Sequence, residues 1–203
     1  CTVGIEKSRY AANRVENCVK KVEIERADAK KYNEAAAYNN LAVALVMNGD
    51  IDAAKKAIDK AASLNSNPVI ANNLAAVAIA QGDLETAKKF LAGLNSEEAR
   101  MNKGLVALYE GDYVAATRDL KGYNLAVVEV LNGNYDNARK ALGNCECADA
   151  EYLRAVIAMK EGKSAEAIEY LRKAVDKKEC LREVAKSDVE FARLFDTPEF
   201  QAL

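Results

Sequence analysis

A chain of 203 residues that is half apolar, holds only two prolines (Pro68 and Pro198) and has no tryptophan points to helices packed through small side chains. Its 29 Lys and Arg against 31 Asp and Glu leave a net charge of −2, so no basic field is available to neutralise many phosphates and nucleic acid is not an expected partner. With no His anywhere, the side chain that most often does acid–base work near neutral pH, and the commonest metal ligand, is missing.

Cys1 opens the chain, where a lipid-modified cysteine stands in a processed bacterial lipoprotein. Lipidation would make the protein periplasmic or outer-membrane-associated and hang it from a membrane. The other reading is a fragment of a longer protein or a cytoplasmic chain. Residues 5–31 are charged with apolar positions at mixed spacing: Tyr10, Val15, Cys18 and Val22 suit a loosely amphipathic helix, while Val19 to Ile24 alternates as a strand would. No apolar stretch approaches the roughly 20 residues that span a bilayer.

From residue 34 a template recurs five times, in which a small residue is followed by Gly seven positions on, Ala five further and Ile or Leu four further. The sets are Ala42-Gly49-Ala54-Ile58, Ala75-Gly82-Ala87-Leu91, Gly104-Gly111-Ala116-Leu120, Ala126-Gly133-Ala138-Leu142 and Ala155-Gly162-Ala167-Leu171. Each reads as a helical hairpin. Gly ends helix A in a conformation that only Gly adopts cheaply, and the following Asp50, Asp83, Asp112 or Asn134 offers an acceptor to cap helix B. The paired small residues suit a close crossing of A and B.

Helix A is expected near 34–48, 68–81, 97–110, 122–132 and 148–161, and helix B near 51–64, 84–93, 113–121, 135–143 and 164–176. Asn33 suits an N-cap, Pro68 a first-turn proline, and carboxylates such as Glu97-Glu98 a helix start. After the repeats, Phe191, Leu194, Phe195, Pro198 and Phe200 make an apolar tail suited to covering the last hairpin's stacking face.

The run from Asn40-Leu41-Ala42 through Gly49-Asp50-Ile51-Asp52-Ala53-Ala54 resembles the tetratricopeptide repeat, and the resemblance extends over roughly residues 34–176. Among such arrays it looks like those of bacterial cell-envelope proteins. Departures are the Gly-to-Gly spacings of 33, 29, 22 and 29 against about 34 for the family, and Lys103 and Arg154 where other units carry Leu. The resemblance implies an all-α, right-handed α-solenoid of about five hairpins, with residues 1–33 as an N-terminal segment and 177–203 as a cap. It also implies a non-enzymatic scaffold that holds a partner protein's peptide or helix. A spacer or assembly module of a larger envelope protein is the alternative.

Asn40, Asn73, Asn102 and Asn124 all lie nine positions before their Gly, forming a ladder that ends where the fifth unit has Leu153. The resemblance places this position on the concave face, within the groove and not between helices. An amide carries donor and acceptor together and can pair with a peptide's main chain whatever its sequence; bonding to neighbouring helices or water is the other use. Around the ladder the same register gives Val43, Met47, Ala76, Met101, Leu105, Tyr109, Tyr123, Val127, Tyr152 and Met159. A groove of Met and Tyr with few charges suits an amphipathic helix or an extended apolar peptide. The chain's own N-terminal segment or a second copy is an alternative occupant.

Cys145, Cys147 and Cys180 fall in neighbouring loops. They read as free thiols, as a disulfide if Cα atoms come within about 7 Å, or as a zinc site that lacks an evident fourth ligand. There is no nucleophile elbow, phosphate-cradling Gly loop or zinc-protease helix. Neither an active site, a cofactor nor a small-molecule substrate is expected.

Overall fold

The computed structural model describes residues 27–203, with side chains from residue 32 onward. The readings made for Cys1 and Cys18, and the choice between helix and strand near Val19 to Ile24, lie outside the described residues. Among the described residues every regular element is helical. The chain divides into two compact units, the first ending at Asp119 and the second beginning at Leu120.

The first unit holds three hairpins: α1 (Ala27–Met47) with α2 (Ile51–Leu64), α3 (Pro68–Ala80) with α4 (Leu84–Leu91), and α5 (Glu97–Glu110) with α6 (Tyr113–Asp119). The second holds two: α7 (Gly122–Leu131) with α8 (Tyr135–Leu142), and α9 (Ala148–Lys160) with α10 (Ser164–Lys177). It ends in α11 (Leu181–Ser187), a 3-10 turn over Val189–Leu194 and α12 (Pro198–Gln201). This is an all-α architecture of the α-solenoid class, with a helical tail. One expected boundary is corrected: α1 begins at Ala27, so Asn33 lies inside the helix and caps nothing. The preceding Ala and Lys residues favour helix, and no Gly or Pro interrupts them.

All five corner glycines are left-handed, with φ of 82°, 77°, 80°, 75° and 77° at Gly49, Gly82, Gly111, Gly133 and Gly162. Around each, two backbone bonds close the helix end. The Gly N–H donates three residues back, as from Gly49 to Val46 at 3.0 Å, and the next N–H donates five back, as from Asp50 to Leu45 at 3.0 Å. Asp50, Asp83 and Asp112 then accept from the N–H groups of Ala53, Thr86 and Ala115 at 3.0–3.1 Å. Asn134 does not cap as expected: its amide donates to Glu129 at 2.9 Å, holding the side chain toward the helix before it. Asn67 caps α3 by accepting from Val69 and Ile70, and Pro68 opens that helix.

The paired small residues meet in the cores. Ala42 and Ala54, Ala75 and Ala87, Ala126 and Ala138, and Ala155 and Ala167 are all fully buried, each pair in one cluster with its Ile58, Leu91, Leu142 or Leu171. The tail closes the fifth hairpin. Phe191, Leu194 and Phe200 pack on Ala155, Ala158, Met159, Ala167, Ile168 and Leu171, which removes from water a stacking face that no sixth hairpin covers.

Lys103 and Arg154, the two departures from Leu, do the same job as each other. Lys103 donates to the Leu94 carbonyl at 2.6 Å, and Arg154 donates to Cys145 O at 2.7 Å and Gly143 O at 2.8 Å. Each cation thus satisfies carbonyls in the loop that follows the preceding B helix, where the helix dipole also favours positive charge.

A second pair of ionic contacts also repeats. Lys88 on α4 meets Glu110 at 2.6 Å, and Arg139 on α8 meets Glu161 through parallel N–H···O bonds, so in both cases helix B of one hairpin holds the last residue before the next corner Gly. Arg139, then Lys163 at 2.9 Å, draws the Glu161 carboxyl from its ordinary 4.5 down to about 2. A depressed acid stabilises the fold above its ordinary value and loses that contribution as pH falls through about 2. Glu161→Gln should therefore lower stability by ~1 kcal/mol at neutral pH, solvent at the rim screening much of the attraction. Urea titrations should show the difference shrinking below pH ~4.5 and vanishing near pH ~2; a difference independent of pH would refute the assignment.

Candidate peptide-binding face

In the first unit α1 packs against α3, and α3 against α5, so the A helices stand as successive neighbours. A turn of 3.6 residues places residues 40, 43 and 47 on one stripe of α1, and 102, 105 and 109 on the matching stripe of α5. The stripe is open: Val43, Met47, Met101 and Tyr109 are exposed, Met47 and Tyr109 by 57% and 65%, whereas Leu105 and Ala76 are half-buried.

The ladder amides are not all turned outward. Asn73 donates to the side-chain oxygen of Asn39 at 2.8 Å, and Asn102 donates to that of Asn72 at 2.9 Å. Each therefore reaches back to the residue ten before the previous unit's Gly, and the expectation that Asn73 and Asn102 make no bond between helices is corrected. The physical reason is that Asn39, only 7% exposed on the α1 side facing α3, needs a partner for its buried oxygen. Asn40 remains exposed and accepts from Asn39 at 3.4 Å. The signal was present in the Asn39-Asn40 and Asn72-Asn73 doublets, whose 33-residue offset equals that of their glycines.

Two clefts open beside this staircase. One, of about 470 Å³, is lined by Tyr32, Asn39, Asn40, Asn65 and Asn67 among others; the second, of about 330 Å³, by Asn72, Asn73, Leu94, Asn95, Ser96 and Glu98. Pro68 and Val69 line both. Val69 is 62% exposed and Tyr32 61%. Among the described residues Glu98 is the only ionisable carboxylate or cation on either wall, so the described walls offer amide dipoles and apolar surface with almost no charge. Val69, Tyr32, Asn39 and Asn72 are absent from the residues singled out by the sequence, because the mouth of the cleft lies at the N-terminal ends of the A helices.

In the second unit, Tyr123 is exposed and Asn124 half-buried on α7, and half-buried Val127 lines a separate cleft of about 370 Å³ with Leu131, Tyr135 and Val156. Two expected groove residues belong to the capped core. Met159 is buried under the tail, and Tyr152 donates its hydroxyl to Asp188 at 2.8 Å while its ring meets Phe191 edge-on at 5.4 Å. Burial and then Asp188 raise the Tyr152 hydroxyl well above the ordinary tyrosine value. Among the described residues no cluster of three or more His, Cys, Asp or Glu suits a metal, and no helix is long and apolar enough to cross a membrane.

Left-handed corner glycines, buried small-residue crossings and a terminal cap define a helical-hairpin repeat protein. Residues 35–68, the first hairpin, and residues 123–179, the last two, each match the tetratricopeptide repeat. These three hairpins are thus similar to tetratricopeptide repeats, which generally mediate protein–protein interaction and are typically non-enzymatic. No curated protein matches it.

Proposed function

We propose that the first unit is a non-enzymatic docking module that holds a largely uncharged, extended peptide of a partner protein along the A-helix face. The peptide would cross the ridge of Pro68 and Val69 and set apolar side chains in the clefts on either side. The observation that carries this reading is the pair of adjoining clefts with exposed apolar residues at their mouths and asparagine amides on their walls. Amides pair with peptide N–H and C=O groups without demanding a particular side chain, and the apolar ridge supplies contact area. Asn40 is the ladder amide best placed to reach a ligand, since it is exposed on the larger cleft. Val43, Met47, Met101, Leu105 and Tyr109 continue the surface toward the corners.

Panning a displayed library of random peptides against the protein tests this. Enriched sequences should be apolar and poor in charge, and Val69→Glu should weaken them about tenfold or more, the equivalent of ~1.4 kcal/mol. Lys60→Glu, on the exposed side of α2, should leave them unchanged. Peptides that bind equally well to both variants would remove the A-helix face from consideration.

A further inference from the structure

The Cys145-Glu146-Cys147 loop is held in a way the docking reading does not require. The two sulfurs lie 2.8 Å apart, and both residues are exposed. Three bonds pin the loop that carries them: Arg154 binds the carbonyls of Cys145 and Gly143, and Lys177 binds that of Glu146 at 2.5 Å. Beneath it the buried carboxylate of Glu151 pairs with Arg154 at 3.3 Å, which fixes the guanidinium. Cys147 also stands at the N-cap of α9, a helix of 13 residues, beside its positive end.

We propose that Cys145 and Cys147 form a redox-active dithiol that reacts with low-molecular-weight disulfides, with Cys145 as the attacking sulfur and Cys147 as the resolving one. Their environments separate the two roles. The contact with the Cys147 side chain and backbone, and then the charge of Arg154, hold the Cys145 thiol below its ordinary value; the contact with Cys145 and partial burial push Cys147 up. A thiolate is the nucleophile in such exchange, so the sulfur that loses its proton first attacks first. In the first step the Cys145 thiolate attacks one sulfur of R–S–S–R, forming a mixed disulfide and releasing RS⁻. The Cys147 thiol then gives its proton to solvent and attacks Cys145 Sγ, breaking the mixed disulfide and releasing the second RS⁻. The protein loses two electrons to the small disulfide, and bonding at about 2.05 Å needs only a short approach from the observed separation.

The test uses the full chain with Cys1→Ser, Cys18→Ser and Cys180→Ser, so that mass reports only on the pair. Incubation of the reduced protein with oxidised glutathione should give a product lighter by two hydrogens, with no lasting adduct. Adding Cys147→Ser should instead trap one glutathione at Cys145, because Ser can still donate a hydrogen bond but cannot resolve. Adding Cys145→Ser should slow adduct formation severalfold. Persistent glutathione on both cysteines of the unblocked pair, or equal rates in the two single variants, would overturn the proposal. Far-UV circular dichroism of each variant separates loss of reactivity from loss of fold.

Discussion

Replacing Phe191 with Ala is expected to destabilise the second unit by about 3–5 kcal/mol, the range for deleting a fully buried ring. Phe191 has no exposed surface and heads the fully buried side chains by size. Its ring lies edge-on to Tyr152 at 5.4 Å and 6.4 Å from Phe200, so truncation leaves a cavity among groups held by the tail's own short turns. Those turns cannot collapse into it. The Asp188 cap that anchors the 3-10 turn also holds the Tyr152 hydroxyl, and a loosened turn gives up that bond as well. Urea unfolding followed by tyrosine fluorescence, in a chain without tryptophan, should show the midpoint fall with little change in slope. A loss below about 1 kcal/mol would mean that the tail does not close the fifth hairpin.

Asn73→Ala is expected to cost the first unit about 1–2 kcal/mol, more than a half-exposed amide ordinarily carries. The cost falls on its neighbour. Without the Asn73 donor, the Asn39 oxygen loses its 2.8 Å partner in a nearly buried position between α1 and α3. Water entering through the cleft that Asn39 lines keeps the cost below the full penalty for an orphaned buried acceptor. Asn40→Ala, one residue from Asn39 but exposed, should shift stability by no more than about 0.5 kcal/mol. Thermal melts of the two variants decide the matter: equal shifts would place the ladder outside the structural framework. The consequence for function is practical. A binding defect in Asn73→Ala mixes a lost contact with a loosened pair of helices, whereas Val69→Glu acts on an exposed side chain.

The sequence by itself determined the hairpins. A glycine at each corner, a small residue on either side of the crossing and a large apolar residue one turn further are local requirements of backbone sterics and close packing, so they recur in register and are readable without coordinates. Helix ends followed to within one or two residues at most positions, except at α1, where no local stop signal marks the start. What each polar side chain does with that register was decided only by the tertiary structure. Asn73 serves Asn39, Lys103 and Arg154 stand in place of leucines and hold loop carbonyls, and Tyr152 bonds Asp188 of the tail. A side chain's spacing fixes the face on which it stands, but its partner comes from another hairpin or from the tail, and burial of an unpaired acceptor costs enough to engage an amide that the resemblance assigns to a ligand.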